Sequence, residues 1–80
     1  TEVTMEFEND LVGVVFDRFG TEIPILKSDE NHFVCRVKVA VSPFFLSWII
    51  SFGSKAKIIS PDRVEKELYD LVTTVKEQYK

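Results

Sequence analysis

The sequence predicts an α+β fold with one antiparallel sheet. Apolar residues alternate with polar ones in four segments and recur at helical spacing in three others, and these segments follow one another in the order β-α-β-β-α-β-α. The first six elements match the ferredoxin-like βαββαβ arrangement. We therefore expect strand order 4-1-3-2, two helices on one face and an additional long C-terminal helix as an appendage, all within a single domain over residues 1–80.

The first strand and helix occupy the N-terminal quarter of the chain. Residues 1–8 alternate as a half-buried strand does, and Asn9 or Asp10 is expected to cap the helix that follows. Gly20 ends this helix as a residue able to adopt a positive φ. The residues expected to face inward are Val3, Met5 and Phe7 in the strand, and Leu11, Val12, Val15, Phe16 and Phe19 in the helix.

The next two strands flank a polar turn at residues 28–31. Residues 21–27 form the shorter strand, and Pro24 places it at a sheet edge because proline has no backbone N–H for the ladder. Residues 33–41 form the longest strand. The inward positions are Ile23 and Ile25 in the first of these strands, and Phe33, Cys35, Val37, Val39 and Val41 in the second.

Serine followed by proline, at residues 42–43 and 60–61, is predicted to open the two remaining helices. Serine accepts a free backbone N–H at the N-cap, and proline fits the first helical position. Residues 44–52 form the first of these helices, and residues 55–59 form the last strand. Inward positions are Ala56 and Ile58 in the strand, and Val64, Leu68, Leu71, Val72, Val75 and Tyr79 in the final helix.

The net charge of −3 is unevenly distributed along the chain. Residues 1–30 carry −6, residues 31–57 carry +4 and the rest carries −1. In the predicted sheet, Glu6 and Glu8 lie between two pairs of cations, so we expect the positive block to be largely neutralised. These cations are Arg36 and Lys38 on one flank, and Lys55 and Lys57 on the other. The alternative is an anion-binding patch on Arg36 and Lys38.

The residue pattern predicts no catalytic site, no metal site and no cofactor. His32 is solitary in a polar turn, and Cys35 is the only cysteine and faces inward, which argues against a disulfide scaffold and favours a reducing compartment. The sequence has no apolar run long enough to span a membrane. We expect a cytoplasmic protein without membrane contact, cut from a longer chain because it begins at Thr1.

The second helix is more apolar than packing on one sheet requires. Its apolar residues fill an arc of roughly 240°, whereas about 100° suffices for one sheet. Either the neighbouring helices cover the remainder, or Phe44, Trp48 and Ile50 meet another subunit or another domain of the parent protein. The last helix is long for so small a sheet and is a candidate for the same interface.

One set of hydrophobic and capping residues forms a family pattern: Val15-Phe16-Asp17-Arg18-Phe19, Leu46, Trp48, Ser51-Phe52-Gly53, Ala56, Ile58, Pro61 and Tyr79. This set resembles the C-terminal extension of WYL-domain transcriptional regulators, some of which are of the DeoR type. The resemblance implies a bacterial parent with an N-terminal winged helix-turn-helix that binds promoter DNA and a WYL domain that senses a nucleic-acid or nucleotide-like ligand. It implies that the tail serves dimerisation and effector response.

These features favour a non-catalytic regulatory domain that contacts a second subunit and the other domains of its parent. Contact with DNA is expected only through the missing N-terminal domain. Arg18 occupies a position where the family pattern often has an arginine, either as an effector contact or as the partner of Asp17 or Glu22. Two alternatives stay open: a free-standing sensor of amino acids or nucleotides, and a weak nucleic-acid-binding module built on the cations.

Overall fold

The computed structural model describes residues 1–79. Its strands are β1 (Glu2–Glu8), β2 (Ile25–Lys27), β3 (His32–Lys38) and β4 (Ala56–Ser60), and its helices are α1 (Val12–Phe19), α2 (Pro43–Ile50) and α3 (Asp62–Glu77). Short 3-10 turns at Asn9–Leu11 and Gly53–Lys55 precede α1 and β4. The α+β class, the antiparallel sheet and the C-terminal helix are confirmed.

The sheet has the strand order β2-β3-β1-β4, and every neighbouring pair is antiparallel. The central strand β1 places Phe7 opposite Phe33 on β3, where the two rings stack with centroids 5.6 Å apart. Successive side chains of a strand point to opposite faces, so one face is apolar and the other polar. The inward positions predicted for β1 and β4 are buried: Val3, Met5, Phe7, Ala56 and Ile58.

All three helices contribute to one core on the apolar face of the sheet. The buried helical residues are Val15 from α1, Phe45, Leu46 and Ile49 from α2, and Val64 from α3. Because Val64 is fully buried, the first turns of α3 belong to the core. The expectation that the last helix is only an appendage is therefore wrong for its first half.

Two strands are shorter than the sequence pattern suggested. β2 begins at Ile25, so Ile23 lies in the preceding loop, where it is half-buried against the core. β3 ends at Lys38, although Val39 still exchanges backbone hydrogen bonds with Thr1 at 2.9 and 3.0 Å. Alternation predicts which residues face inward, but the length of a strand depends on the neighbour available to pair with it.

The two serine–proline pairs behave differently. Ser42 caps α2 as predicted, its hydroxyl accepting the Phe45 N–H at 3.2 Å. The prediction for Ser60 is wrong, since that residue remains in β4 opposite Thr4. Pro61 instead occupies the N-cap position of α3, and its carbonyl accepts from the Val64 and Glu65 amides at 3.0 and 3.2 Å. Pairing with Thr4 keeps Ser60 in the strand, so it does not serve as the N-cap of α3.

The N-terminal cap predicted for α1 is also wrong. No side chain caps this helix, which continues from the 3-10 turn. The Asn9 amide donates to the Glu30 carbonyl at 2.9 Å, and the Asp10 carboxylate accepts from Lys55 at 2.9 Å. Both polar side chains therefore tie separate segments together. Gly20 ends α1 with a φ of 89°, as predicted.

Candidate functional site

Trp48 lies at the centre of an aromatic cluster formed by three elements. Its ring meets four phenylalanine rings with centroids 5.0–6.5 Å apart, three of them edge-to-face: Phe7, Phe19, Phe45 and Phe52. Such contacts add about 0.5–1.5 kcal/mol per pair beyond the area they bury. The predicted interface residue Trp48 is thus engaged within the domain, where it joins α1 and α2 to the sheet.

Arg18 lies over the same tryptophan. Its guanidinium carbon is 5.4 Å from the centre of the Trp48 ring, a cation–π contact worth about 0.5–1 kcal/mol at an exposed site. Within residues 1–79 no ion pair joins Arg18 to Asp17 or Glu22, the two partners considered from the sequence. Arg18 was predicted from the sequence to bind an anion, and Trp48 was predicted to lie in an interface. The structure places these two residues in contact.

The margins of the apolar arc on α2 remain open to solvent. Phe44 is 86% exposed and Ile50 is 38% exposed, whereas their neighbours Phe45 and Ile49 are buried. The sheet, α1 and α3 cover most of the arc, which agrees with the first of the two expectations for this helix. Phe44 is the largest apolar side chain on α2 that the domain itself leaves uncovered.

A row of exposed apolar residues lies toward the C-terminal end of α3. The stripe of this helix begins in the core with Val64 and continues through Leu68 and Leu71, which are half-buried. Beyond them the same stripe is exposed, and its members, here called the distal stripe, are Val72 (43% exposed), Val75 (46%) and Tyr79 (82%), which lies in the turn just after the helix. The spacing of the residues predicted a single stripe and did not distinguish these halves.

A notch lies between the α1–β2 loop and the end of β3. It has a volume of about 590 Å³, and its lining includes the cations Arg36 and Lys38, the acid Glu22 and the apolar residues Phe19 and Ile23. The structure therefore unites two of the three residues predicted for anion binding. Arg18, the third, is not part of the lining.

The chain matches the WCX domain model over residues 1–75. The chain belongs to the WCX domain family. WCX domains form the C-terminal domain of WYL-domain regulators, so the resemblance drawn from the sequence is confirmed. The family match also agrees with a role in transcription regulation. No curated protein and no solved structure matches the chain.

Charge pairing on the polar face of this WCX domain differs in detail from the expectation. Because Thr4 and not Glu6 lies opposite Arg36, the arginine turns to Glu2. The ion pairs are Arg36 with Glu2 at 3.9 Å and Lys55 with Asp10 at 2.9 Å, and Lys57 lies opposite Glu6 across the strands. The register of the strands decides these partners, and alternation alone does not fix it.

The surroundings of Cys35 and His32 in the WCX domain shift the pKa values of these two side chains. Burial raises the pKa of the Cys35 thiol to about 11, so the thiolate is scarce at neutral pH. His32 begins β3 and its Nδ1 lies 2.8 Å from the Asp29 carboxylate, a bond that raises the pKa of the imidazole.

From Thr1 to Tyr79, no three His, Cys, Asp or Glu side chains converge as metal ligands would. None of the helices in this range is long and apolar enough to cross a membrane.

Proposed function

We propose that this WCX domain is a non-catalytic regulatory domain that works by association. A second copy of the chain covers the distal stripe, and Phe44 and Ile50 meet another domain of the parent regulator. The domain thereby contributes to the dimer and to the effector response of the parent. The distal stripe is the observation that carries this proposal.

The distal stripe continues a surface that the fold buries elsewhere. Scattered exposed apolar residues are ordinary on a protein surface, but residues at helical spacing along one face are typical of a helix that packs against a neighbour. Val72, Val75 and Tyr79 extend the stripe whose first residue, Val64, is fully buried. A neighbour on the second half of α3 would complete the packing that the sheet begins.

A second copy suits this surface because an apolar stripe is complementary to itself. In a twofold dimer the same patch contributes from both subunits. Between Val72 and Tyr79 the chain carries one cation, Lys76, and one acid, Glu77. Two such segments can face each other without an excess of like charge.

Strand order β2-β3-β1-β4, with α1 and α2 between the strands, supports a ferredoxin-like assignment. The domain acts in the cytoplasm, and contact with DNA belongs to the helix-turn-helix domain of the parent. Lys55 is paired with Asp10 and Lys57 lies opposite Glu6, which favours association over weak binding of nucleic acid by this domain.

The association is tested by measuring the mass of the 80-residue chain in solution with size-exclusion chromatography and light scattering over a range of concentrations. We expect a dimer that Val75→Lys converts to a monomer, because the ammonium group would be placed in an apolar contact. Glu77→Gln is the matched control. It changes the net charge by the same amount on an exposed residue outside the stripe, and we expect it to remain a dimer.

Two outcomes would contradict the proposal. A wild-type chain that stays monomeric at every concentration would exclude self-association and leave the stripe to another domain of the parent. A dimer that survives Val75→Lys would show that the copies meet elsewhere. Circular dichroism of each variant verifies that the monomer is folded.

A further inference from the structure

The notch beside β3 has the size of a small-molecule site. Its volume of about 590 Å³ lies within the usual range for ligand pockets, roughly 300–1,000 Å³. One wall is the loop from Gly20 to Pro24 and the other is the end of β3. Phe19 and Ile23 supply apolar surface, and both are only half-buried. A ligand with an apolar group would find part of its contact already formed.

Backbone groups of β3 also face the notch. Thr1 and Val39 exchange backbone hydrogen bonds, so odd-numbered residues at this end of β3 direct their N–H and C=O groups toward β1. The even-numbered residues Arg36 and Lys38 therefore direct theirs to the opposite side, toward β2 and its loop.

The short β2 leaves these groups available. β2 begins at Ile25, opposite Cys35, so no strand in the described part of the chain lies beside Lys38 on that side. Pro24 precedes Ile25 and has no N–H to donate to the Arg36 carbonyl. The edge of the notch thus offers a backbone donor at Lys38 and backbone acceptors at both residues.

The charges of the lining select the type of ligand. Arg36 and Lys38 are exposed cations, and the contact of Arg36 with Glu2 is long, at 3.9 Å. Glu22 contributes the only negative side chain among the lining residues, whose charges sum to +1. Glu2, outside the lining, lies 3.9 Å from Arg36 and opposite Lys38, so the local charge that includes it is zero. A zwitterion matches this balance better than a phosphate dianion does. Glu22 would repel a bare anion and would pair with an ammonium group on the same ligand.

We propose that the notch binds a small amino carboxylate with an apolar side chain. Its carboxylate lies at Arg36 and Lys38, its ammonium group at Glu22, and its side chain against Phe19 and Ile23. This inference deepens the effector role proposed above and rests on it for its biological meaning. It is tested separately, because ligand binding and self-association use different surfaces of the domain and are measured by different experiments.

The test uses three small molecules that differ by one charged group: L-leucine, 4-methylpentanoate without the amine, and isopentylamine without the carboxylate. Binding to the 80-residue chain is followed by NMR chemical shifts of the backbone amides at constant ionic strength. We expect saturable shifts around residues 20–24 and at Lys38 with L-leucine, at a dissociation constant on the order of 1 mM. The carboxylate alone binds more weakly, and the amine alone does not bind.

Substitutions assign the roles of the charged residues. Lys38→Gln lowers the affinity for L-leucine about tenfold, the size of one charge-assisted hydrogen bond. Lys57→Gln, an exposed lysine on the distant strand β4, leaves the affinity unchanged. Glu22→Gln weakens binding of L-leucine and strengthens binding of 4-methylpentanoate, because it removes both the ammonium partner and the repulsion of a bare carboxylate.

Several results would overturn the inference: no saturable shift with L-leucine, equal binding of isopentylamine, tighter binding of inorganic phosphate, or Glu22→Gln changing both affinities in the same direction. A domain that dimerises and binds no L-leucine loses the ligand site alone. A domain that binds L-leucine and stays monomeric loses the proposed association alone.

Discussion

The two halves of α3 continue one stripe but have different surroundings. Up to Leu71, the stripe is covered: Val64 is fully buried, and Leu68 and Leu71 pack against the core. From Val72 onward it is open: Val72, Val75 and Tyr79, the last of them two residues past the end of α3, keep between 43% and 82% of their surface exposed. A sequence pattern specifies which face of a helix is apolar, and the tertiary structure decides how much of that face is covered. The difference identifies surface that the fold itself does not use.

The same comparison of buried and exposed residues applies to two adjacent phenylalanines on α2, where we expect the largest loss of stability. Phe45 is buried and Phe44 is 86% exposed. Phe45→Ala is expected to lower the free energy of unfolding by about 3–5 kcal/mol, because it leaves a cavity in the core. Phe44→Ala is expected to change it by less than about 0.5 kcal/mol. Urea denaturation of the monomer measures both, and equal losses would show that exposure does not separate these residues.

A smaller effect is expected for two valines of α3 itself. Val64→Ala is expected to cost about 2 kcal/mol, from the lost apolar burial and the cavity that remains. Val75→Ala is expected to cost less than about 0.5 kcal/mol when the chain is dilute. At concentrations where the chain dimerises, the cost of Val75→Ala should rise, because association then adds to stability. A cost that does not depend on concentration would contradict a role for Val75 in association.

The smallest effect on stability is expected for the exposed contact between His32 and Asp29. His32 Nδ1 lies 2.8 Å from the Asp29 carboxylate, which raises the pKa of His32 above 6.5, and the same bond holds the pKa of Asp29 below 3.8. The pair therefore stabilises the fold most between these values. Its contribution is lost as pH rises through the raised pKa of His32 or falls through the lowered pKa of Asp29.

His32→Gln tests this contact by thermal unfolding at a series of pH values. The difference in melting temperature from wild type should be largest near pH 5 and vanish by about pH 9. In an Asp29→Asn background the same substitution should show a much weaker pH dependence, because only Glu6 and Glu8 then raise the pKa of His32. If the difference were greatest at alkaline pH, the direction of the shift would be wrong. A small effect would show that a short contact without burial contributes less than a buried side chain.

Local patterns predicted much of the fold. Alternation found the buried residues of β1, and serine before proline found the start of α2. The same dipeptide failed at Ser60 because Thr4 across the sheet kept that residue in β4. Capping propensity describes what a side chain does when no tertiary partner competes for it.

The candidate sites depended more on tertiary structure. The proximity of Arg36 and Lys38 follows from their spacing on one strand, and the sequence therefore predicted it. The contact of Arg18 with Trp48 joins two helices, and the partnership of Arg36 with Glu2 depends on strand register. The notch exists because β2 begins at Ile25, four residues later than the alternating pattern predicted. Contacts between elements are set by packing that a single sequence does not display.

The brevity of β2 has a second consequence, for the behaviour of the sheet in a crowded solution. An exposed sheet edge invites strands of other molecules to add to it, and long flat edges lead to aggregation. Here the edge strand has three residues, follows Pro24 and ends in Lys27. The edge available to another strand is therefore short and carries a positive charge at its end. The interruption that opens the notch to a small molecule thus also denies a foreign strand a continuous edge.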